Sequence, residues 1–415
     1  MVHLEDNDIL SNSQFGFRPG RSVSDQLLLA YDTVTRGYDQ GDIVDVLLLD
    51  FAKAFDKVSH EILLMKLFQL GIRGTLLNWI RSFLNERKFY VTVQGSNSTL
   101  RNVSSGVPQG SLLGPVLFLV FINHLCHDLE SAAFLFADDV KLVARTGGTR
   151  CAGATQLQRD LDKVNDRAKS WGLPFNEQKC ICIRFCRKTV GNLNAGPPRY
   201  FLNGSLISND DLGKDLGVMI DKDLRFHEQT TQASSKGRGA MHNLLRSTMN
   251  RSREFIKELI MTYIRPVLEF SSVIWNAGFI GDVTRLEAIQ RHATRRVTGI
   301  GELPYDARLR ELDLYSIKGR LLRADLVQCW KIFHQRCPFE PEEIFALDPR
   351  QSRGHPYRIF KERFSTAARQ RFFTCRIVND WNSLPPLVAT ASSLETFKCE
   401  LAKFLGDRLF EFYDT

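Results

Sequence analysis

Three acidic side chains, Asp50 and the neighbouring pair Asp138-Asp139, could hold divalent cations if a fold brought them together. Aspartate oxygens are hard ligands suited to magnesium, which keeps several waters and so needs only two or three carboxylates. Two such cations held close together can activate an attacking oxygen and neutralise a triphosphate, which is most of what phosphoryl transfer asks of a protein. Asp50 and Asp138 lie 88 residues apart, so the elements around them must do the positioning. Asp50 ends the run Val44 to Leu49, which predicts a short strand, Asp45 to Asp50, buried on both faces of a sheet. Asp138-Asp139 lie between Ala133-Phe134-Leu135-Phe136-Ala137 and Val140-Lys141-Leu142-Val143-Ala144, segments too short for helices, which predicts a β-hairpin with the acids at its tip. Between the two clusters, Gly106-Val107-Pro108-Gln109-Gly110-Ser111 predicts a rigid loop running into a helix. A strand-terminal Asp and an Asp-Asp turn each occur often for structural reasons alone. Their combination with the loop is what points to a metal site.

A chain of 415 residues has room for two or three units, each with its own core. Apolar content of 43% and charged content of 25% exclude general disorder. The net charge of +8 is uneven: residues 1–150 hold 14 Lys+Arg against 16 Asp+Glu, leaving 41 against 31 for residues 151–415. Excess positive charge in the second part suits a polyanionic partner, or a solvated basic surface. Met1 to Leu10 carries Glu5, Asp6 and Asp8 and no apolar core, so it reads as no secretory signal. The nine cysteines form no framework of pairs, which predicts a reducing, intracellular setting. Cys180, Cys182 and Cys186 cluster without a matching His or second Cys pair, and read as buried strand cysteines rather than a zinc site. The longest apolar run, Val116 to Ile122, is well short of the ~20 residues needed to cross a bilayer.

Along the chain, Ser24 or Asp25 is expected to cap a helix to about Tyr38, and Ser59 another that Gly71 stops. A helix from Thr75 to about Asn85 follows, then a hairpin from Phe89–Val93 and Leu100–Val103. Gly114-Pro115 should open a buried helix to about Leu129, and Gln156 to Trp171 an amphipathic one ended by Gly172. Ile181 to Phe185 and Leu216 to Ile220 read as strands, and the pattern is almost wholly helical from His227 onward. Gly191 to Pro198 and Cys337 to Pro341 read as loops or domain joints.

Four segments carry a resemblance: Phe17-Arg18-Pro19-Gly20-Arg21-Ser22-x-x-Asp25-Gln26, Leu49-Asp50-Phe51-Ala52-Lys53-Ala54-Phe55-Asp56-Lys57-Val58, Gly106 to Ser111 with Leu113-Gly114-Pro115, and Phe136-Ala137-Asp138-Asp139. In order and spacing they resemble the reverse transcriptase of non-LTR, LINE-like retrotransposons. Trp171-x-Leu173-x-Phe175-Asn176-x-x-Lys179-Cys180, Leu202-Asn203-Gly204 and Asp215-Leu216-Gly217-Val218 are similar to the later palm motifs, and Arg265 to Glu269 and Glu287-x-x-Gln290-Arg291 to the helical region beyond. The resemblance implies an α+β right-hand polymerase: partial fingers and palm with an antiparallel sheet over 1–225, a helical thumb over 226–300, and a helical basic C-terminal region over 301–415.

It implies that Asp50, the backbone carbonyl of Phe51, Asp138 and Asp139 hold two Mg2+, or Mn2+ in their place. A primer 3'-hydroxyl would attack the α-phosphate of a deoxynucleoside triphosphate, directed by an RNA template. Phe55 matches the sugar gate that excludes a ribose 2'-hydroxyl, and so argues against an RNA-making polymerase; without the motif it would read as a core Phe. Gln109 and Gly110 match the nucleotide-contacting loop, and Lys179 a lysine that donates a proton to pyrophosphate or is simply solvated. Arg18 and Arg21 are similar to fingers-side contacts, the alternative being an ion pair with an acid such as Asp25. Arg291 and Arg295, one helical turn apart, match a thumb that tracks the nucleic acid. Eight basic residues from Arg350 to Arg376, interleaved with aromatics, suit single-stranded nucleic acid. A solvated basic face over core phenylalanines explains the same pattern, and is favoured for the phenylalanines. The family normally has a further fingers segment and an endonuclease, so an N-terminally truncated element is expected, with the endonuclease in a missing domain or another chain. A nuclear or cytoplasmic ribonucleoprotein is the expected setting. A repurposed fragment that binds nucleic acid without polymerising stays open.

Overall fold

Residues 1–146, 150–187, 198–349 and 354–412 are described by a computed structural model of the chain. The loop expected over Gly191 to Pro198 falls, but for Pro198, outside them, as does Arg350. The chain divides into two compact units, Met1–Gln26 with Gly41–Asp211 and Leu27–Gln40 with Leu212–Thr415.

The first unit is built on a five-stranded sheet in the order 208–209, 181–185, 43–49, 139–146, 132–136. All neighbours are antiparallel except the outermost pair, Ser208–Asn209 with Ile181–Phe185. Ile43–Leu49 lies at the centre, so both its faces are covered and its burial is nearly continuous, as its apolar run requires. One acid breaks that run: Asp45 is fully buried, taken bidentately by Arg184 at 2.7 Å and by the Tyr200 hydroxyl at 2.5 Å. Three hydrogen bonds from these two partners are what make a buried carboxylate tolerable.

Several element ends differ from expectation, each for a local reason. The helix Val23–Gln40 is capped by Ser22, whose Oγ accepts the Asp25 N–H while its hydroxyl donates to Asp25 Oδ2 at 2.6 Å. The buried helix Leu113–Ile122 stops early, and Asn123 turns its side chain to the Ile9 carbonyl and the Ser11 N–H. The strand expected from Leu216 is Val218–Asp221, because Leu216 (φ 44°) and Gly217 (φ 90°) form the two-residue turn that joins it to Leu212–Asp215. Ser59 does cap His60–Gln69, and Gly172 (φ 74°) follows the amphipathic helix Arg150–Ser170. Cys180 and Cys182 are buried, and burial pushes the Cys180 thiol up to about 11.

Within this core Lys66 is 8% exposed. Its ammonium donates to the Phe121 carbonyl and lies 3.1 Å from the centre of the Trp171 ring. Both contacts favour the charged form, but burial wins and pushes Lys66 down to about 7. In the unfolded chain the amine holds its proton to about pH 10.4. The unfolded state therefore binds more protons between those values, and stability rises with pH there by up to about 1.4 kcal/mol per unit. Lys66→Met should be more stable than the parent at pH 7, with the gap narrowing steadily towards pH 9.5. Parallel urea-unfolding profiles of the two proteins across that range would refute this.

The second unit is mainly helical from His227, as expected, with long helices His227–Ser247, Ile280–Arg295, Ile317–Phe333 and Leu394–Leu405. Glu287 is its buried hub: it accepts the Ile317 and Lys318 N–H groups at the start of one helix and the Tyr305 hydroxyl at 2.5 Å. Gln290 and Arg265 join it, both donating to the Tyr315 carbonyl. The described part of the basic C-terminal segment is mixed: Lys361, Arg363 and Arg371 are exposed, while other side chains turn inward. Phe372 and Phe373 are buried, Arg376 takes Asp325 bidentately, and Arg369 reaches Asp32 at 2.5 Å, while Phe360 is exposed. Asp32 also accepts from Arg36 and Thr374. Asp32→Ala takes from Arg369, itself 3% exposed, its closest acid and leaves it Glu362 at 3.3 Å and the Thr35 hydroxyl, and is expected to cost up to about 3 kcal/mol in denaturant unfolding. A loss under about 1 kcal/mol, the range of a surface pair, would show that the pair is screened.

Candidate active site

The central register brings the acid clusters together. Leu49 pairs with Val140, so the next position on each strand sets Asp50 beside Asp139. The hairpin closes at the Phe136–Asp139 pair, leaving Ala137 and Asp138 as its tip, with Ala137 in the left-handed region at φ 55°. Asp138 is half-buried and Asp139 exposed. Burial pushes the Asp138 carboxyl up; Asp50 adds to this, while Lys179 and a backbone hydrogen bond oppose it. Lys179 Nζ lies 3.6 Å from Asp50 Oδ1.

Among the described residues no group of three or more His, Cys, Asp or Glu side chains stands close enough to hold a metal ion. Like-charged carboxylates repel, and here Lys179 neutralises Asp50 instead. The donor set nonetheless fits magnesium: hard oxygens at a strand end and a facing turn, with an Asp138 carboxyl whose repulsion from Asp50 a cation would relieve.

The Asp50 strand end is held by the segment after Gly172. The Asp50 carbonyl accepts the Asn176 N–H at 2.8 Å, Ala52 donates to the Pro174 carbonyl, and the Phe51 ring stacks on Phe175 at 4.2 Å. Beyond it Phe55 stacks on Phe118 at 4.3 Å and meets the edge of Phe17 at 6.3 Å. The Pro-Gln-Gly loop is bonded to this same stretch: Val107 N–H to the Phe55 carbonyl, Gly106 N–H to Val58, and Gln109 Nε2 to Asp56 Oδ1 at 2.9 Å. Gly110 is at φ 80° with open space where a Cβ would be. The Phe55 segment and the loop are therefore one hydrogen-bonded piece.

The four arginines are less uniform. Arg18 is turned inward onto Glu5, not Asp25, with two bonds of 2.5 and 2.9 Å, and donates to the Leu10 and Ser11 carbonyls. Arg21 binds the Asn12 and Gln14 carbonyls and lies over Phe15; burial, then Arg18, pushes it down to about 10. Arg291 sits over the Tyr305 and Phe412 rings, and Arg295 is exposed. Arg291 and Arg295 therefore differ in surroundings despite sharing a helix face.

Sequence reasoning missed Gln14. Its buried side-chain oxygen accepts both the Gly16 and Ala137 N–H groups, at 2.8 and 2.9 Å, so it fastens the acid-bearing turn. Gly16 is tied to the same place, since a Cβ there would lie 2.4 Å from the Ala137 nitrogen. A glycine between two phenylalanines was the available signal.

The profile of the family described as reverse transcriptase (RNA-dependent DNA polymerase) matches residues 1–202. The chain is 29% identical over 314 residues to the probable RNA-directed DNA polymerase from transposon X-element of Drosophila melanogaster, covering 71% of this chain and 33% of that protein. It is 27% identical over 343 residues to the RNA-directed DNA polymerase from mobile element jockey of Drosophila funebris, covering 80% and 36%. The chain thus spans about a third of the length of these relatives. Among solved structures, apo telomerase from Candida tropicalis gives a TM-score of 0.42 at 9% identity, over 75% of this chain and 52% of that one, too low to carry an argument. The order of acids and loop and the profile match agree: residues 1–202 belong to the reverse transcriptase family.

Proposed function

We propose that the chain is an RNA-directed DNA polymerase that extends a primer 3'-hydroxyl with deoxynucleotides on an RNA template. The observation that carries this reading is the acid-bearing turn registered against the Asp50 strand end, beside a loop bonded to Phe55. Asp50, Asp138, Asp139 and the Phe51 carbonyl would hold magnesium, which when bound supplies the charge that activates the hydroxyl and offsets the triphosphate. The Phe55 ring, fixed by Phe118, excludes a 2'-hydroxyl. Gly110 lets backbone approach the nucleotide, and Gln109 positions it. Lys179, 63% exposed, holds a proton for the leaving pyrophosphate. Arg295 contacts phosphate directly, whereas Arg18, Arg21 and Arg291 shape the segments that do.

Residues 1–225 act as fingers and palm, 226–300 as thumb, and 301–415 as an accessory basic region. An endonuclease domain elsewhere or another chain supplies target cleavage. Among the described residues no helix is long and apolar enough to cross a membrane, and an intracellular ribonucleoprotein is the proposed setting.

Primer extension on an RNA template with magnesium, with Asp138→Ala as control, tests this. A second reading is favoured by the Lys179–Asp50 pair standing where cations should: a chain that grips nucleic acid without copying it. RNA binding without extension by the purified parent protein would select that second reading.

A further inference from the structure

Residues 88–102 are exposed without a break, including Phe89, Tyr90, Val91, Val93 and Leu100, each at least 50% accessible. They form a ribbon of two short ladders, Lys88–Phe89 with Arg101–Asn102 and Thr92–Val93 with Ser96–Asn97, turned at Gln94 (φ 48°) and Gly95 (φ 81°). Tyr90 and Val91 face three residues, Ser98 to Leu100, so a bulge separates the ladders and twists the ribbon. An isolated two-stranded ribbon with no covered face is marginal in water. Something outside it is needed to cover these aromatic rings.

Charge narrows what that is. From Arg87 to His127 there is no Asp or Glu, while Arg87, Lys88 and Arg101 lie in the ribbon, in a part of the chain that is otherwise slightly acidic. Phe89 and Arg101 are direct cross-strand partners, so a ring and a guanidinium share one face. At the base, Arg87 has a buried guanidinium nitrogen with no hydrogen-bond partner among the described residues. The ribbon then runs straight into the Pro-Gln-Gly loop, with Ser105 Oγ donating to the Asp56 carbonyl at 2.8 Å. Arg18 and Arg21, by contrast, spend their donors internally.

We infer that the ribbon 88–102 is a docking surface for single-stranded nucleic acid, with Phe89 and Tyr90 stacking on bases and Lys88 and Arg101 on phosphates. That the strand is the RNA template rests on the polymerase reading; the docking itself does not. Every base has a π-face, so such a platform is tolerant of sequence.

The test is fluorescence anisotropy with a labelled single-stranded RNA of about 20 nucleotides, long enough to span one stacking groove. Phe89→Ala/Tyr90→Ala is expected to bind about tenfold or more weakly. Lys88→Ala/Arg101→Ala should lower the slope of log affinity against log salt by about 1.4, two phosphate contacts at about 0.7 each. Both variants change only exposed side chains, and the same thermal midpoint as the parent is expected. Unchanged affinity and salt slope would overturn the proposal even if the parent extends primers. Weakened binding alongside a parent that extends nothing would uphold the docking surface and remove the polymerase reading. Altered sedimentation of the variants with unchanged RNA affinity would mark a protein-binding face instead, and also overturn it.

Discussion

Asp138→Asn is expected to reduce primer extension by about a thousandfold or more while making the cation-free protein more stable. The first half follows from chemistry: a carboxylate that holds a cation at the reacting phosphate is worth several kcal/mol of transition-state charge stabilisation, and an amide oxygen carries no net charge. The second follows from the raised Asp138 carboxyl, lifted first by burial and further by Asp50. The folded state then binds more protons than the unfolded chain between the ordinary aspartate value and the raised one, so stability falls as pH climbs through that interval. Asparagine removes that loss. Denaturant midpoints at pH 7 with a chelator, beside extension rates with magnesium, check both halves. A variant that is less stable and inactive would mean only that the turn had collapsed.

Gly106→Ala carries the second large effect. Gly106 sits at φ 90°, and a Cβ would lie 2.8 Å from the Asp56 carbonyl oxygen and 2.9 Å from its Cα. Those are backbone atoms, so no side chain can swing aside. Relief requires moving the loop away, at the expense of the Gly106–Val58 and Val107–Phe55 bonds and the 2.9 Å contact from His60 Nε2 to the Gly106 carbonyl. Strain plus those bonds should cost about 2–4 kcal/mol of stability. A displacement of about 1 Å at a positioning loop costs about a hundredfold in rate. Single-nucleotide incorporation kinetics should show it chiefly as a higher KM for the deoxynucleotide. An unchanged KM would separate this loop from nucleotide binding.

The acid geometry was legible because both clusters end short apolar segments: Val44 to Leu49 can only be a buried strand, and the segments around Asp138-Asp139 only a hairpin. Once both pair in one sheet, the register follows from keeping their apolar faces inward. Side-chain partners were not legible. Nothing near Asp45 in sequence marks its partners, since Arg184 and Tyr200 lie 139 and 155 residues away. Arg18 had Asp25 as an obvious neighbour, yet Glu5 takes it, because Ser22 already engages Asp25. Nothing local marks a residue whose partner is set by the fold, and Gln14 is the plainest case.

That glutamine also sets a boundary for anyone trimming the protein. The turn with Asp138 is stitched to the chain's opening stretch by Gln14, by the Phe15 N–H to the Leu135 carbonyl, and by the Leu135 N–H to Ser13. An expression fragment begun at the first strand would keep every acid and every residue of the Pro-Gln-Gly loop, yet present Asp138 on an unmoored tip. A fragment that keeps the Asp138 turn moored therefore begins before Ser13, ahead of the Phe17 to Gln26 segment.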